Sequence, residues 1–277
     1  MIRYKSRGAL FGECWFDESP PPGCDVDLIA FRQRSAPVVG AHSTAFLTIV
    51  NDLTVAQDAI LAAYGKNCRQ KIARAEARDE LVFELVSAPQ PRLDEFCEFY
   101  DAFARQKSLR PVDREWLQGA CDAGCLALTA ASRRGEALVR HGYVVAGGTA
   151  WLQYTASFYR DKDSATRAMT ARANRWLHWR SMLGFKAMGM ARYDWGGLFE
   201  DESTAERAGI NRFKKEFGGR PMRAYDCVVP LTLRGRLRLG LHRLAAGCRS
   251  MRDMASGIAA PLRQARPTPE VRPEQEN

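Results

Sequence analysis

The spacing of apolar positions changes several times along this chain. Over residues 8–52 apolar and polar positions alternate between turn signals such as Ser19-Pro20-Pro21-Pro22-Gly23, which predicts strands at Ala9–Phe16, Asp27–Arg32 and Ala45–Val50. At Thr54 the period lengthens. Thr54-Val55-Ala56-Gln57 fits a capping box, and Ile60, Ala63, Tyr64, Cys68, Ile72 and Ala75 then share one face of a helix running to about Arg78. Leu93, Phe96, Cys97, Tyr100, Phe103 and Ala104 predict a second amphipathic helix over 92–107, and Asp113 can cap a third, ending near Cys121.

Leu126–Ala131, Ala137–Val145 and Thr149–Tyr159 are strand-like and are separated by Arg133-Arg134-Gly135-Glu136 and Gly147-Gly148, the pattern of an antiparallel meander. Ala165, Ala168, Met169, Ala173, Trp176, Leu177 and Leu183 mark a long helix that leads through Gly189 into a strand at Arg192–Trp195, the crossover that parallel neighbours require. Ser203–Phe217 reads as helix and Arg223–Val229 as a last strand. The expected class is α/β (α+β). The expected layout is an N-terminal β region over 1–44 packed on the core, a main domain over 45–230, a basic helical appendage over 231–266 and a disordered tail over 267–277.

Two stretches stand out. Tyr193-Asp194-Trp195-Gly196-Gly197 closes a strand on a glycine pair, and Arg212-Phe213-Lys214-Lys215-Glu216-Phe217-Gly218-Gly219 closes a helix on another. Paired glycines permit positive φ and close approach of a second chain or a ligand. Asp194, between two aromatics in a strand, needs a partner or a function. It can orient or deprotonate an amine, or it can accept amide hydrogen bonds from the turn that follows. Lys214 can stabilise developing negative charge, or it can simply complement the end of its helix.

Composition narrows the setting. The chain has 277 residues, 46% hydrophobic and 26% charged, and holds no apolar run long enough to cross a membrane. The N-terminus lacks a signal-peptide core, so the expected location is cytoplasmic. Eight cysteines without a CxxC pair and four histidines isolated in sequence argue against a metal site. The net charge of +9 is uneven: Leu231–Arg266 carries eight arginines against one acid, Asp253. Within it, 231–249 reads as an amphipathic basic helix that can lie on an anionic membrane at the inner face, pack on the body or bind a partner. Helix 66–78 is basic as well, through Lys66, Arg69, Lys71, Arg74 and Arg78. It can face a nucleotide diphosphate or a tRNA phosphate, although a solvated face is the commoner explanation for such a pattern. Nothing indicates DNA.

The element order resembles the GNAT (acyl-CoA N-acyltransferase) superfamily, and the two motifs resemble its FemAB-like branch, which includes peptidoglycan aminoacyltransferases. The matching residues are Tyr193, Asp194, Gly196 and Gly197, then Phe213, Lys214, Phe217, Gly218 and Gly219. Asn174, Trp179 and the Arg69-x-x-Ile72-x-x-Ala75 segment match further positions. The resemblance implies a mixed, splayed central sheet flanked by helices, and N-acyl or aminoacyl transfer to an amine on a cell-envelope or polysaccharide precursor. It implies Lys214 and Asp194 as catalytic residues and Phe213, Gly196, Gly197, Trp195, Asn174 and Arg69 around the substrate, with no permanently bound cofactor; Tyr154 can also point into the cleft, although a strand aromatic is more often core. The donor would be an acyl-CoA or an aminoacyl-tRNA. The glycine-rich pyrophosphate loop of CoA-dependent members is replaced by Arg160-Asp161-Lys162-Asp163-Ser164-Ala165, so CoA is not indicated. Two other functions fit the same chain: a CoA-dependent acetyltransferase for a small amine, and a non-catalytic module at the membrane surface.

Overall fold

The computed structural model describes residues 1–158 and 163–241. Tyr159, Arg160, Asp161, Lys162 and all residues from His242 onward, including the later part of 231–249 and the tail at 267–277, lie outside the described residues.

The strands are β1 (Ile2–Ser6), β2 (Ala9–Trp15), β3 (Leu28–Arg34), β4 (His42–Asp52), β5 (Val82–Val86), β6 (Leu126–Arg133), β7 (Glu136–Ala146), β8 (Thr149–Ser157), β9 (Arg192–Gly197) and β10 (Arg220–Pro230). The helices are α1 (Gln57–Ala62), α2 (Lys66–Arg78), α3 (Leu93–Gln106), α4 (Arg114–Asp122), α5 (Ser164–Ala187) and α6 (Ala205–Lys215), followed by α7 over 233–241. The strands form one mixed sheet in the order β1-β2-β3-β10-β4-β9-β8-β7-β6-β5. β6, β7 and β8 make the expected antiparallel meander, and α5 carries the chain from β8 to its parallel neighbour β9. The first three strands extend this same sheet through β10.

Side-chain alternation on the strands separates two cores. Ala127 and Ala131 of β6 face a cluster with Cys68, Ile72 and Ala75 of α2 and Trp176, Leu177, Met182 and Phe185 of α5. Leu126 and Leu128 face a second cluster with Leu93 and Phe96 of α3, Trp116 and Leu117 of α4, and Ile2, Tyr4 and Trp15 from the N-terminal strands. The sheet curls far enough for β1 to meet α4, where a Cβ on Gly119 would lie 2.1 Å from Arg3 O. Glu13 ties this contact together. Its fully buried carboxylate accepts from Trp116 Nε1 (2.8 Å), from Tyr4 Oη (3.0 Å) and from Arg32 Nη2 (2.8 Å), so the charge is both paired and hydrogen-bonded.

Three expectations require correction. The single helix predicted from Thr54 to Arg78 is two helices, broken at Ala63–Gly65. Gly65 N–H donates to Glu216 O (2.8 Å), and Ala63 packs against Gly218, contacts that local periodicity does not encode. No capping box forms: Thr54 Oγ1 donates to Asp52 Oδ1 (2.6 Å), and Ala56 takes the cap position. β1 and β5 are additional strands, each five residues long and too short to read reliably from alternation. Asp113 does cap α4, accepting from Trp116 N at 3.1 Å.

Candidate functional site

β8 and β9 share three parallel register pairs, Thr149↔Arg192, Ala150↔Tyr193 and Trp151↔Asp194, and then part company. Alternation along β9 sends Tyr193 and Trp195 toward α5 and Asp194 to the opposite face. Where the strands diverge, Gly196 adopts φ +68°, and a Cβ there would meet Leu152 O at 3.1 Å. Gly196 is therefore fixed by the backbone of the turn. Gly197 has only Phe46 and Leu47 near a hypothetical Cβ, at 3.8 Å or more.

The two polar groups singled out in the sequence meet at this turn. Asp194, 1% exposed, accepts from Gly196 N–H at 2.8 Å and from Thr48 Oγ1 at 2.5 Å. With the Gln33 amide oriented so that its oxygen accepts from Trp151 Nε1 (2.7 Å), its nitrogen lies 3.3 Å from Asp194 Oδ2. Lys214, 8% exposed, leaves the end of its own helix and donates to Gly197 O (2.7 Å) and, more weakly, to Gly196 O (3.4 Å). Gly196 thus bridges the two charges, with its N–H on the carboxylate and its carbonyl on the ammonium.

Burial pushes the Asp194 carboxyl up to about 6, against the opposing pull of Thr48, Gly196 N–H and Lys214. Burial likewise pushes Lys214 down to about 8, partly offset by Asp194. An acid and a base are thereby brought toward neutrality, as proton transfer near pH 7 demands. An ammonium has three donors, and the carbonyls take two.

Around this pair the other nominated residues divide. Trp195 donates from Nε1 to Asn51 Oδ1 (2.7 Å), and Asn51 Nδ2 donates to Phe217 O (2.7 Å), which locks the first motif to the second through β4. Phe213 lies 6.2 Å from Trp195 and 5.6 Å from His178 between ring centroids, with the Arg175 guanidinium 4.8 Å over its own ring. Asn174 Oδ1 accepts from His141 Nε2 at 2.9 Å. Arg69 donates to Ala62 O and Tyr64 O at the end of α1, where it satisfies helix-terminal carbonyls. Tyr154 packs among Tyr100, Trp116 and Phe96 in the α3/α4 core. Lys71 and Arg74 line a groove of about 400 Å³ between α2 and α5, with Asn67, Gln70 and Arg172. Arg172 is already engaged by Asp79.

The histidines at 141 and 178, isolated in sequence, are stacked in space with ring centroids 4.2 Å apart. His141 Nδ1 meets Tyr143 Oη (3.0 Å), Tyr143 meets Tyr193 (3.1 Å), and Tyr193 meets His178 Nδ1 (2.7 Å). Burial pushes His141 down to about 4 and His178 well below its ordinary value, so both rings are neutral and the chain is a satisfied polar network beneath Trp195. The sequence did hold a signal, since Asn174 and His178 are one turn apart on α5 and His141 and Tyr143 share a face of β7. Thr48 and Gln33 were visible only as polar residues in apolar strands. Among the described residues no cluster of three or more metal-ligating side chains occurs.

The second glycine pair is architectural. Gly218 has φ +67°, and a Cβ on it would stand 2.1 Å from Ala63 O; one on Gly219 would stand 2.4 Å from Ile49 Cγ2. Gly218→Ala is expected to destabilise the fold by about 3 kcal/mol or more, and Gly197→Ala by less than about 1 kcal/mol, as read by denaturant unfolding. Equal losses would remove close packing as the reason for the second motif.

No protein-family profile matches the chain, and no curated protein sequence does. Solved structures do match in shape. FemX superposes with a TM-score of 0.57 at 14% identity, over 73% of this chain and 72% of FemX. The C-terminal domain of an Agrobacterium fabrum protein provisionally named a lysylphosphatidylglycerol synthetase superposes with a TM-score of 0.53 at 17% identity, over 85% of this chain and 82% of that one. With its sheet parted between β8 and β9 and its glycine-paired turns on either side of α6, the chain shares the fold of FemX and of that C-terminal domain.

Proposed function

We propose that the chain is an N-acyltransferase that moves an acyl or aminoacyl group from a thioester or ester donor to an amine on a cell-envelope or polysaccharide precursor. The observation that carries this is the Lys214 ammonium, held on two carbonyls where β8 and β9 part and bridged through Gly196 to Asp194. In the proposed reaction the amine attacks the donor carbonyl, a C–N bond forms, and the C–S or C–O bond breaks. Asp194 takes the proton lost by the amine and returns it to the leaving sulfur or oxygen, which departs as a thiol or an alcohol. Lys214 offers its third N–H to the developing oxyanion, which needs a preorganised donor in a water-poor setting. Trp195 and Phe213 pack on the α5 face and support the turn from beneath, Gly197 leaves room for the donor backbone to approach, and no covalent enzyme intermediate is required.

Both polar groups are closed over, at 1% and 8% exposure, so binding must uncover them. The same burial favours a second reading, a module with this fold that binds ligands without turnover. The donor is tested by calorimetry. Acetyl-CoA is expected to bind more weakly than about 1 mM, and aminoacyl-tRNA more tightly than that. Micromolar binding of acetyl-CoA would replace this proposal with a CoA-dependent acetyltransferase.

A further inference from the structure

The last described helix, α7, is anchored at its start. Thr232 Oγ1 donates to Asp27 Oδ1 (2.6 Å), Leu231 N–H donates to Asp27 O (2.8 Å), and Gly235 lies so close to the Asp27 backbone that a Cβ would stand 2.0 Å from its carbonyl oxygen. Gly235 is buried and Leu239 half-buried, so this side of the helix rests on the body. Leu233, Leu237 and Leu241, four residues apart, fall along the opposite side and are 74%, 63% and 63% exposed. Arg234 and Arg236, both exposed, flank the stripe on its two edges. Val39, fully exposed, sits in the loop between β3 and β4, three residues before His42, which pairs with Val228 near the end of β10.

A row of leucines held away from the body costs hydration free energy unless something apolar covers it. The arginine edges identify what does. We propose that α7 lies flat on an anionic lipid bilayer, its leucines in the acyl boundary and Arg234 and Arg236 at the phosphates. Arginine stems can lie along the apolar surface while their heads reach the headgroup layer. The eight arginines of 231–266, against one acid, favour an acidic lipid surface over a neutral one. Among the described residues no helix is long and apolar enough to cross a membrane, so contact through α7 is interfacial. This association is independent of the proposed chemistry.

Flotation of the full chain with vesicles tests the idea. Vesicles containing phosphatidylglycerol are expected to carry at least about tenfold more protein than phosphatidylcholine alone, with the excess falling as salt rises. Leu233→Glu combined with Leu237→Glu, and separately Arg234→Glu combined with Arg236→Glu, are each expected to remove about nine-tenths of that binding. All four side chains are solvent-exposed, so thermal melts should stay unchanged and exclude misfolding. No enrichment on acidic vesicles, or undiminished flotation of the leucine variant, would overturn the proposal. A solution dimer that the leucine substitutions dissociate would overturn it too, by making the stripe a protein interface.

Discussion

Lys214→Met is expected to lower turnover by about 10²- to 10³-fold while leaving the chain folded, the loss that follows removal of one oxyanion donor. Methionine has similar length and no donor. It strips Gly197 O and Gly196 O of their ammonium partner, which costs about 1–3 kcal/mol for buried acceptors left unmade. It also removes a buried charge whose desolvation already holds Lys214 at about 8, so the net stability change is smaller than the contact loss alone. A melting temperature within a few degrees of wild type should accompany the lost turnover. Lys214→Arg should not rescue, because a planar guanidinium cannot direct a single compact ammonium at two strand carbonyls and a third acceptor. Unchanged turnover in Lys214→Met would exclude the residue from the chemistry and leave it as a clamp on the β9 turn.

Asp194→Asn is expected to abolish the acidic limb of the pH–rate profile near pH 6 and to cut turnover by about 10²-fold or more, the range for a lost general base. Asparagine can still accept from Gly196 N–H, so the turn survives. The histidines offer no competing source for that limb, because His141 is pushed down to about 4 and His178 well below its ordinary value. Stability carries a second signature. The native carboxyl holds its proton up to about 6, against 3.8 for the ordinary group, so its contribution is fully present below about pH 4 and is lost as pH rises to 6. That displacement corresponds to about 3 kcal/mol. Lys214 works in the opposite direction, since a lysine lowered to about 8 regains stability as pH rises from 8 toward 10.5. Wild type should therefore lose stability relative to Asp194→Asn between pH 4 and 6 by denaturant titration. Parallel curves for the two proteins would mean that Asp194 is not the raised group.

The sequence carried the parts of the fold that depend on local period. The meander, the α5 crossover and the turn at Gly196-Gly197 each have a spacing or a glycine pair that admits few alternatives. Contacts between distant segments were not legible. The break at Ala63–Gly65 exists because Gly218 packs on Ala63, some 155 positions later, and nothing in the 54–78 pattern announces it. Tyr154, which could also have faced the cleft, packs with Tyr100 and Trp116, and Arg69 closes the end of α1, a contact that the basic pattern of 66–78 does not announce. Histidines separated by 37 positions became neighbours only when α5 lay across β7. The meeting of Asp194 and Lys214 is suggested by their motifs, but their bridge through Gly196 and the supporting hydroxyl of Thr48 arise only where β4, β9 and α6 come together.

The most direct measurement incubates the full chain with aminoacyl-tRNA or acyl-CoA and an amine-bearing envelope precursor, and follows new amide by mass spectrometry. The account predicts an amide product with one donor class, formed by wild type and lost by about 10²-fold or more in Lys214→Met. Donor binding without any amide, or amide formed equally by both proteins, would contradict it.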